Sequence, residues 1–322
     1  MNDLQAYADV FSGITPWSGE VPKGYLVDFL GTLTAADFRV MFGVDPSVEG
    51  GRAVATRLPT IEDGEGWFEM VNWVIAAREA RDRFIMHTLG ACYGAQAVGS
   101  YRALQLLNPM PCKLVAVEPD PDNLIWTARH FRDNGIDPDQ HWLVGSVISN
   151  NNAPVFFPVG SPGSGAQNCV ATNEPAAREV YARQLASGRN SAEALRNLLL
   201  HNTTGITKSL VPGYDFQAEI KLLSAITLKD LLGPFEVVDF LECDIQQSEI
   251  LVFPPHMDVA KRKVRRMHIG THGKDVHWEL HRLFERDGWE IVFSYEPNSE
   301  HRTALGSFRL NDGVLTVKNH TL

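Results

Sequence analysis

The chain has 322 residues and a mass of 35.8 kDa, enough for about two average domains or one large α/β domain with insertions. Apolar residues make up 44% of the sequence, which excludes a disordered or fibrous chain. The formal net charge of −10 and the pI near 5.6 exclude a globally basic surface. We therefore expect neither nucleic acid nor an anionic membrane surface as a partner.

Two further features predict a cytoplasmic protein. The sequence contains no apolar run long enough for a membrane span, and its first residues, Met1–Leu4, lack the basic-then-apolar pattern of a signal peptide. The cysteines lie far apart and form no C-x-x-C pair, so neither disulfides nor a thiolate zinc site is expected. They are Cys92, Cys112, Cys169 and Cys243.

Residues 1–82 are predicted to form a partly helical cap region ahead of the main domain. Turn-rich stretches such as Gly50-Gly51 precede one amphipathic helix. Its apolar residues follow the spacing of one helical face, at Trp67, Met70, Val71, Val74 and Ile75. We expect this helix to pack on the core.

Residues 83–150 alternate between buried strands and helices, which is typical of a parallel sheet with right-handed crossovers. The predicted strands are 84–86, 114–117 and 142–144, and the predicted helices are 94–107 and 121–134. Prolines after the first helix and Gly135 after the second are typical helix stops.

Residues 151–225 interrupt this alternation and are predicted to be an insertion. Loop residues at 150–152 and 162–165 precede predicted helices at about 175–185 and 191–201. Because the insertion follows the carboxyl end of a parallel strand, it could be a lid over a ligand or a passive surface insertion.

The sheet is predicted to resume after residue 225 and to complete a main domain that spans 83–322. The expected strands are 237–241, 264–269, 290–295, 306–310 and 313–318, with a helix at 276–286. A turn at Asn311-Asp312-Gly313 indicates a terminal antiparallel hairpin. The predicted fold is therefore α/β, with a doubly wound, mostly parallel sheet finished by a C-terminal antiparallel hairpin.

A glycine turn and a carboxylate predict a pocket for an adenosine-bearing molecule. The first strand runs into Gly90–Gly94 and a helix start, where backbone N–H groups are available to a ligand. The second strand ends at Glu118, whose carboxylate can accept hydrogen bonds from a ribose diol. A dinucleotide fingerprint would need glycine at Cys92 and Ala95, so NAD and FAD are disfavoured. A tight structural turn is the alternative explanation of the glycines.

Three segments resemble the FkbM family of S-adenosylmethionine-dependent methyltransferases. They are 88–94 (TLGACYG), 116–123 (AVEPDPDN) and 238–249 (VDFLECDIQQSE). The resemblance covers roughly residues 84–320 without much of the insertion. It implies a class I methyltransferase fold, S-adenosyl-L-methionine as cofactor, and methyl transfer to a hydroxyl of a small-molecule acceptor.

The resemblance also implies a role for individual positions. The methionine part of the cofactor would lie against Thr88, Gly90, Ala91, Cys92, Tyr93 and Gly94. Glu118 would hold the ribose, with Pro119 and Asp120 beside the adenine. Gly145 and Ser146 would flank the adenine ring, and Asp244 would lie beside the methyl group.

Three positions depart from the family pattern. Thr88, Gln246 and Gly270 stand where the family usually carries acidic residues. These differences remove charge near the reacting centre, so the resemblance implies that substrate or activity differs from the family norm.

An alcohol acceptor requires a base within hydrogen-bond reach. Strand alternation places His268, Gly270 and His272 on one side, with His272 at the carboxyl edge. We predict His272 as base or substrate anchor, Asp244 as the alternative base or as a residue that positions the substrate, and His268 as a deeper supporting residue. His277 and His281, spaced i, i+4, favour a solvated helix face over a metal site, so no metal is predicted.

Two other functions compete with the methyltransferase hypothesis. A nicotinamide-dependent oxidoreductase is opposed by the fingerprint mismatch and by the terminal hairpin. A catalytically inactive protein that binds an adenosyl ligand would explain the missing charges at Thr88 and Gln246. The sequence specifies neither the acceptor nor whether the chain forms a homo-oligomer.

Overall fold

A computed structural model describes residues 4–159, 206–208, 215–217 and 219–322. The predicted loop at 162–165, the predicted helices at about 175–185 and 191–201, and Cys169 lie outside the described residues.

The strands of the described residues are numbered in chain order. They are β1 (Ser18–Val21), β2 (Tyr25–Val27), β3 (Leu33–Ala35), β4 (Arg52–Ala55), β5 (Phe84–Leu89), β6 (Cys112–Val117), β7 (Trp142–Val144), β8 (Val147–Ser149), β9 (Val155–Val159), β10 (Ile206–Lys208), β11 (Asp215–Gln217), β12 (Glu219–Leu223), β13 (Ala225–Thr227), β14 (Val238–Cys243), β15 (Val264–Thr271), β16 (Glu290–Tyr295), β17 (Ser299–Thr303), β18 (Gly306–Leu310) and β19 (Gly313–Lys318).

The helices of the same residues are numbered in the same way. The α-helices are α1 (Glu65–Glu79), α2 (Ala95–Leu107), α3 (Pro121–Asp133), α4 (Leu228–Leu232), α5 (Glu249–Val252), α6 (Met257–Lys263) and α7 (Lys274–Arg286). Short 3₁₀ turns lie at Leu4–Tyr7, Ala36–Phe42, Ile61–Asp63, Pro138–Gln140 and Pro254–His256.

A seven-stranded sheet in the order β16-β19-β15-β14-β5-β6-β7 forms the centre of the molecule. The five strands from β15 to β7 run parallel, and the sequential pairs β5–β6, β6–β7 and β14–β15 are connected through helices on the sheet faces. β19 pairs antiparallel with both β15 and β16. This arrangement confirms the predicted doubly wound, mostly parallel sheet with an antiparallel C-terminal pair.

The strands around the Asn311-Asp312-Gly313 turn pair differently from the prediction. β18 pairs with β17 in a separate two-stranded ribbon, whereas β19 enters the central sheet. The terminal hairpin is therefore made by β16 and β19, with the ribbon as its connection. The predicted pairing across the turn was wrong because β19 obtains two neighbours, β15 and β16, by joining the sheet.

Apolar cores cover both faces of the sheet. On one face, α1 and α2 pack over Phe84, Met86 and Phe240, and the buried N-terminal residues Leu4 and Phe11 belong to the same core. On the other face, a second core contains residues of α4 to α7. The N-terminal region thus shares its core with the sheet, and α1 contacts β15 and β19.

The described ends of the insertion form strands beside the sheet. β9 pairs antiparallel with β12, and β8 pairs in parallel with β13. Phe157 of β9 is buried, with its neighbours Val155 and Val159. Within the described part of the chain, no helix is both long and apolar enough to cross a membrane.

Candidate functional site

A cleft of about 610 Å³ opens at the carboxyl edge of the sheet, between the loops that follow β5, β6 and β14. The strand order reverses between β5 and β14, because β6 and β7 extend the sheet on one side and β15 on the other. Ligands of open parallel sheets bind at such a reversal. The cleft is lined by Gly90, Cys92, Val117, Glu118, Pro119, Asn123, Ser146, Val147, Ile148, Phe157, Asp244, Ile245, Gln246 and Ser248.

The loop after β5 is held in an unusual backbone conformation. Gly90, Cys92 and Gly94 all have positive φ, of 80°, 49° and 81°. A Cβ on Gly90 would lie 1.9 Å from the carbonyl oxygen of Asp244, so only glycine allows the ends of β5 and β14 to approach this closely. Cys92 adopts the left-handed conformation without being glycine, and such strain is concentrated at functional sites.

Glu118 connects this loop to the end of β6. Its Oε2 accepts the N–H of Cys92 at 2.8 Å, and its Oε1 accepts the N–H of Asp120 at 2.9 Å and the side-chain amide of Asn123 at 3.4 Å. Burial raises the pKa of Glu118 to about 7, and these hydrogen bonds partly oppose the shift. The carboxylate retains acceptor capacity toward the cleft, because each oxygen has two lone pairs.

The cleft fits the adenosyl group that the resemblance implies. Its wall combines the Glu118 carboxylate with the apolar side chains of Val117, Ile148 and Phe157. An acceptor for a ribose diol therefore lies beside an apolar surface for a base, as such a ligand requires.

Several predicted cofactor residues line this cleft, and several do not. Those in the lining are Gly90, Cys92, Glu118, Pro119, Ser146 and Asp244. Asp120 is buried beneath it, where its Oδ1 accepts the N–H of Asp122 and caps α3. Gly145 and Ala91 lie next to lining residues in sequence but outside the lining itself.

Tyr93 lies outside the cleft lining, and its predicted contact with the cofactor stays a prediction. Its ring stacks on Phe38 with centroids 5.2 Å apart, and its hydroxyl accepts a hydrogen bond from Arg39 at 2.9 Å. Gly94 also serves packing, since a Cβ there would lie 2.8 Å from Thr127. Both residues fix the turn that leads into α2.

Thr88 also lies outside the lining, within β5 and fully buried. Its register partner on β14 is Glu242, so the two side chains stand beside each other on the face covered by α1. Neither Oγ1 of Thr88 nor Oε2 of Glu242 has a hydrogen-bond partner among the described residues. Thr88 therefore belongs to a buried polar region behind Asp244.

Asp244 and His272 meet at the end of β14 and β15. Nε2 of His272 lies 3.2 Å from Oδ1 of Asp244, and Nδ1 lies 2.9 Å from Oε1 of Glu249. The Asp244 side chain is 45% exposed, whereas that of His272 is 7% exposed. Asp244 therefore presents a carboxylate to the cleft, and His272 lies behind it between two acids.

The charges around His272 determine its protonation. Burial alone would lower its pKa, but the carboxylates of Asp244 and Glu249 outweigh burial and raise the pKa well above its ordinary value. A protonated ring could not accept a proton, so the raised pKa supports a positioning role for His272, while its predicted role as base stays a prediction. The side-chain amide of Gln246 donates to Oδ1 of Asp244 at 3.0 Å, and its nitrogen also lies 2.8 Å from Nε2 of His272, to which it can donate only when that ring nitrogen carries no proton.

His268 takes the supporting position that alternation indicated. It is 1% exposed, and burial lowers its pKa to about 4, so the ring is neutral. Nδ1 lies 2.8 Å from the hydroxyl of Thr316 and 3.1 Å from the amide of Asn72 on α1. This arrangement joins α1 to the sheet and gives His268 no access to the cleft.

Two glutamates of α1, absent from the predicted site, have pKa values that respond to the charge of Asp244. Burial and the charge of Asp244 raise the pKa of Glu69 to about 7. Burial, Glu69, Asp312 and Asp244 raise the pKa of Glu65 well above its usual value. Their i, i+4 spacing on one helix face was visible in the sequence. Nothing local indicated that this face would lie over the carboxyl edge of the sheet.

We predicted that His277 and His281 lie on a solvated face of their helix, and for His277 this prediction was wrong. His277 is fully buried, with Nδ1 2.9 Å from the Thr271 hydroxyl and Nε2 3.1 Å from Ser294. His281 shares Ser294 at 2.8 Å. Within the described ranges, no cluster of three or more histidine, cysteine or acidic side chains has the arrangement of a metal site.

The chain is similar in sequence to a protein of Jannaschia sp. (strain CCS1) named "Putative methyltransferase". The two are 23% identical over 303 residues, which cover 93% of this chain and 94% of that protein. No protein-family model matches the chain.

Solved structures of methyltransferases are also similar to the chain. The methyltransferase FkbM of Methylobacillus flagellatus KT is 14% identical, with a TM-score of 0.39 over 74% of this chain and 45% of that chain. The precorrin-6y C5,15-methyltransferase of Geobacter metallireducens GS-15 is 9% identical, with a TM-score of 0.36 over 76% of this chain and 85% of that chain. This chain thus spans less than half of the first of these structures. Along most of its sequence, this chain is similar to a protein named as a putative methyltransferase.

Proposed function

We propose that this protein is an S-adenosyl-L-methionine-dependent methyltransferase related to the FkbM family, which methylates a hydroxyl of a small molecule. The observation that carries the proposal is the position of Glu118, which is held by three donors at the end of β6 and lines the same cleft as Gly90 and Asp244. The full-length similarity to a methyltransferase supports it.

Each part of the cleft has a separate task in binding the methyl donor. Glu118 would accept hydrogen bonds from the ribose, and the apolar walls would enclose the adenine. The backbone at Gly90 and Cys92 would contact the methionine part, because no bulky side chain intervenes at Gly90. When bound, the donor supplies an activated methyl group on a sulfonium.

The remaining work of the protein is alignment and control of one proton. Asp244 lines the cleft and its side chain is 45% exposed, so its carboxylate would accept the acceptor's hydroxyl proton. His272 and Gln246 would hold its carboxylate in place from behind. His272 itself is enclosed between Asp244 and Glu249, which leaves it a positioning residue.

Binding measurements test this proposal directly. Isothermal titration calorimetry should show micromolar binding of S-adenosylmethionine and of its product S-adenosylhomocysteine, with no binding of NAD at the same concentrations. Binding of NAD alone would overturn the proposal in favour of an oxidoreductase. Release of S-adenosylhomocysteine in the presence of small hydroxylated acceptors then tests catalysis, because an inactive adenosyl-binding protein would bind the product and release none.

A further inference from the structure

We infer that the 3₁₀ turn Ala36–Phe42 of the N-terminal region positions the donor loop, residues 90–94, through the side chain of Tyr93, with Arg39 as the positioning residue. This inference rests on the proposed methyltransferase function, in which the backbone of the donor loop contacts the methionine part of the donor. It adds to the donor site a residue that lies outside the cleft lining and outside the segments that resemble the FkbM family.

Two consecutive residues of the 3₁₀ turn hold the side chain of Tyr93. Nη1 of Arg39 donates to the Tyr93 hydroxyl at 2.9 Å, and the Phe38 ring stacks on Tyr93 with centroids 5.2 Å apart. Phe38 is fully buried and Tyr93 is 6% exposed, so the stack is part of the packed interior. Tyr93 directly follows Cys92, which lines the cleft. A shift of the Tyr93 side chain would therefore move the donor loop at the cleft.

The backbone of the donor loop is fixed by Glu118 and by two side chains of α3. The N–H of Cys92 donates to Glu118 at 2.8 Å, and its carbonyl accepts the Thr127 hydroxyl at 2.9 Å. The carbonyl of Tyr93 lies 3.0 Å from Nδ1 of His130, which must carry the proton of this hydrogen bond. Cys92 has a φ of 49°, and such a strained conformation persists only where the surrounding contacts over-determine it. The contacts of the Tyr93 side chain belong to that set.

The 3₁₀ turn can support the loop because the turn itself is anchored on α3. The rings of Phe38 and Trp126 have centroids 4.8 Å apart, and the guanidinium of Arg129 lies 5.3 Å from the Phe38 ring. In β3, just before the turn, the backbone of Leu33 makes two hydrogen bonds with the side chain of Asn134, of 2.9 and 2.8 Å. The turn, α3 and the donor loop thus form one packed unit.

Arg39 is the part of this unit that can be removed without opening the core. Its side chain is partly exposed and lies over the exposed ring of Phe42 at 4.6 Å, whereas Phe38 is fully buried. A hydrogen bond from a cation is stronger than one between neutral groups. Loss of the Arg39 guanidinium should therefore loosen Tyr93 and the donor loop while the fold stays intact.

Hydrogen exchange of the full chain without ligand tests the positioning itself. In Arg39→Ala, peptides that cover residues 88–96 should exchange clearly faster than in wild type, whereas peptides that cover β15 should be unchanged. Arg52→Ala removes an exposed arginine of the same N-terminal region, paired with Glu49 at 3.8 Å, and is the matched control that should leave 88–96 unchanged. An unchanged rate at 88–96 in Arg39→Ala would overturn the inference, and so would faster exchange throughout the chain.

Calorimetry tests whether the loop position matters to the donor. Arg39→Ala should raise the Kd of S-adenosylhomocysteine roughly tenfold, but that of 5′-methylthioadenosine, which lacks the amino-acid part, by less than about twofold. A general loss of stability would weaken both ligands alike. The double variant Arg39→Ala with Tyr93→Phe should bind S-adenosylhomocysteine no more weakly than the weaker of the two single variants, because both changes remove one hydrogen bond. Equal losses for the two ligands, or additive losses in the double variant, would overturn the route through Tyr93.

The same titrations separate a failure of this inference from a failure of the proposed function. A wild-type chain that binds S-adenosylhomocysteine, together with Arg39→Ala that binds it equally well, would overturn the positioning role alone. A wild-type chain that binds neither S-adenosylmethionine nor S-adenosylhomocysteine would overturn the methyltransferase proposal and with it the role of Arg39 toward the donor, whatever the exchange rates show.

Discussion

The backbone N–H of Cys92 donates to Oε2 of Glu118 over 2.8 Å and so ties the loop after β5 to the end of β6. The contact joins residues 26 positions apart in the chain. One carboxylate therefore shapes the glycine loop and also faces the cleft, where the ribose is proposed to bind. Substitution of Glu118 should affect both the loop and the ligand.

Removal of the Glu118 side chain should weaken cofactor binding. Glu118→Ala deletes a charge-assisted hydrogen-bonding group, which is worth about 1.5–3 kcal/mol, or roughly a 10- to 100-fold increase in the Kd of S-adenosylhomocysteine. Calorimetry at pH 8 measures it. Glu236→Ala, at an exposed glutamate before β14, is the control and should bind as wild type. An unchanged affinity in folded Glu118→Ala would remove the ribose assignment.

Cofactor affinity should depend on pH near neutrality. Burial raises the pKa of Glu118 to about 7, so the carboxyl group is largely protonated at pH 6 and ionised at pH 8. The ionised form is the better acceptor for two hydroxyl groups, so the Kd for S-adenosylhomocysteine should fall as pH rises through 7. Glu118→Gln should bind more weakly and lose most of this dependence. Glu69→Gln should retain it, although burial and Asp244 also raise the pKa of Glu69 to about 7. If the pH dependence of the Kd disappears in Glu69→Gln and persists in Glu118→Gln, the titrating group is Glu69 and the prediction for Glu118 is wrong.

Because β5 and β14 approach closely at Gly90, adding one methyl group there should strongly lower the free energy of unfolding. Gly90→Ala must adopt φ near 80° and place its Cβ 1.9 Å from the Asp244 carbonyl oxygen. The left-handed conformation alone costs about 1–2 kcal/mol for an alanine, and the overlap adds to it. Gly135→Ala has the same sign of φ but no atom within 4 Å of its Cβ, so it isolates the conformational part. Urea unfolding should show a clearly larger loss of unfolding free energy for Gly90→Ala than for Gly135→Ala. Equal losses would mean that the backbone around Gly90 relaxes and removes the overlap.

The fold was largely predictable because its strands are short apolar runs that end at glycines or acids. β5, β6, β7 and β14 were recognised by this pattern, and Glu118 and Asp244 by their positions at strand ends. The pairing of β19 was not predictable, since the local turn favours β18 as its neighbour while the sheet provides two partners. Glu65 and Glu69 could not be placed from the sequence, because the packing of α1 over the sheet depends on contacts distant in the chain.

Substitution of Asp244 should separate catalysis from binding. Asp244→Asn keeps the shape of the side chain but removes the proposed acceptor of the substrate proton. General-base catalysis is worth typically about 10²–10⁴ in rate, so turnover with a competent acceptor should fall by roughly 100-fold or more. The Kd of S-adenosylhomocysteine should change little, because Glu118 and the apolar walls remain. Wild-type turnover in Asp244→Asn would exclude this residue as the base.

The His272–Glu249 pair should dominate the stability of the carboxyl edge. Glu249 is fully buried and its Oε1 also accepts the N–H of Ile245, so Glu249→Ala leaves an imidazolium with one fewer partner. Breaking a buried ion pair in this way costs about 3–5 kcal/mol. Asp258→Ala breaks the exposed pair with Arg262 and should leave the unfolding free energy nearly unchanged.

The pH dependence of stability tests the protonation of His272. Burial opposes its charge, but Asp244 and Glu249 raise its folded pKa well above the unfolded value near 6.5. The folded state then binds a proton that the unfolded state releases, so the contribution to stability is complete below pH 6.5 and disappears as pH rises through the folded pKa. Urea unfolding should show that the unfolding free energy of the wild type falls between pH 6.5 and pH 9. The fall should be clearly smaller in His272→Gln. Equal falls in unfolding free energy in the two proteins would mean that His272 is neutral in the folded state. A neutral ring could accept a proton, so His272 would again be a candidate for the base.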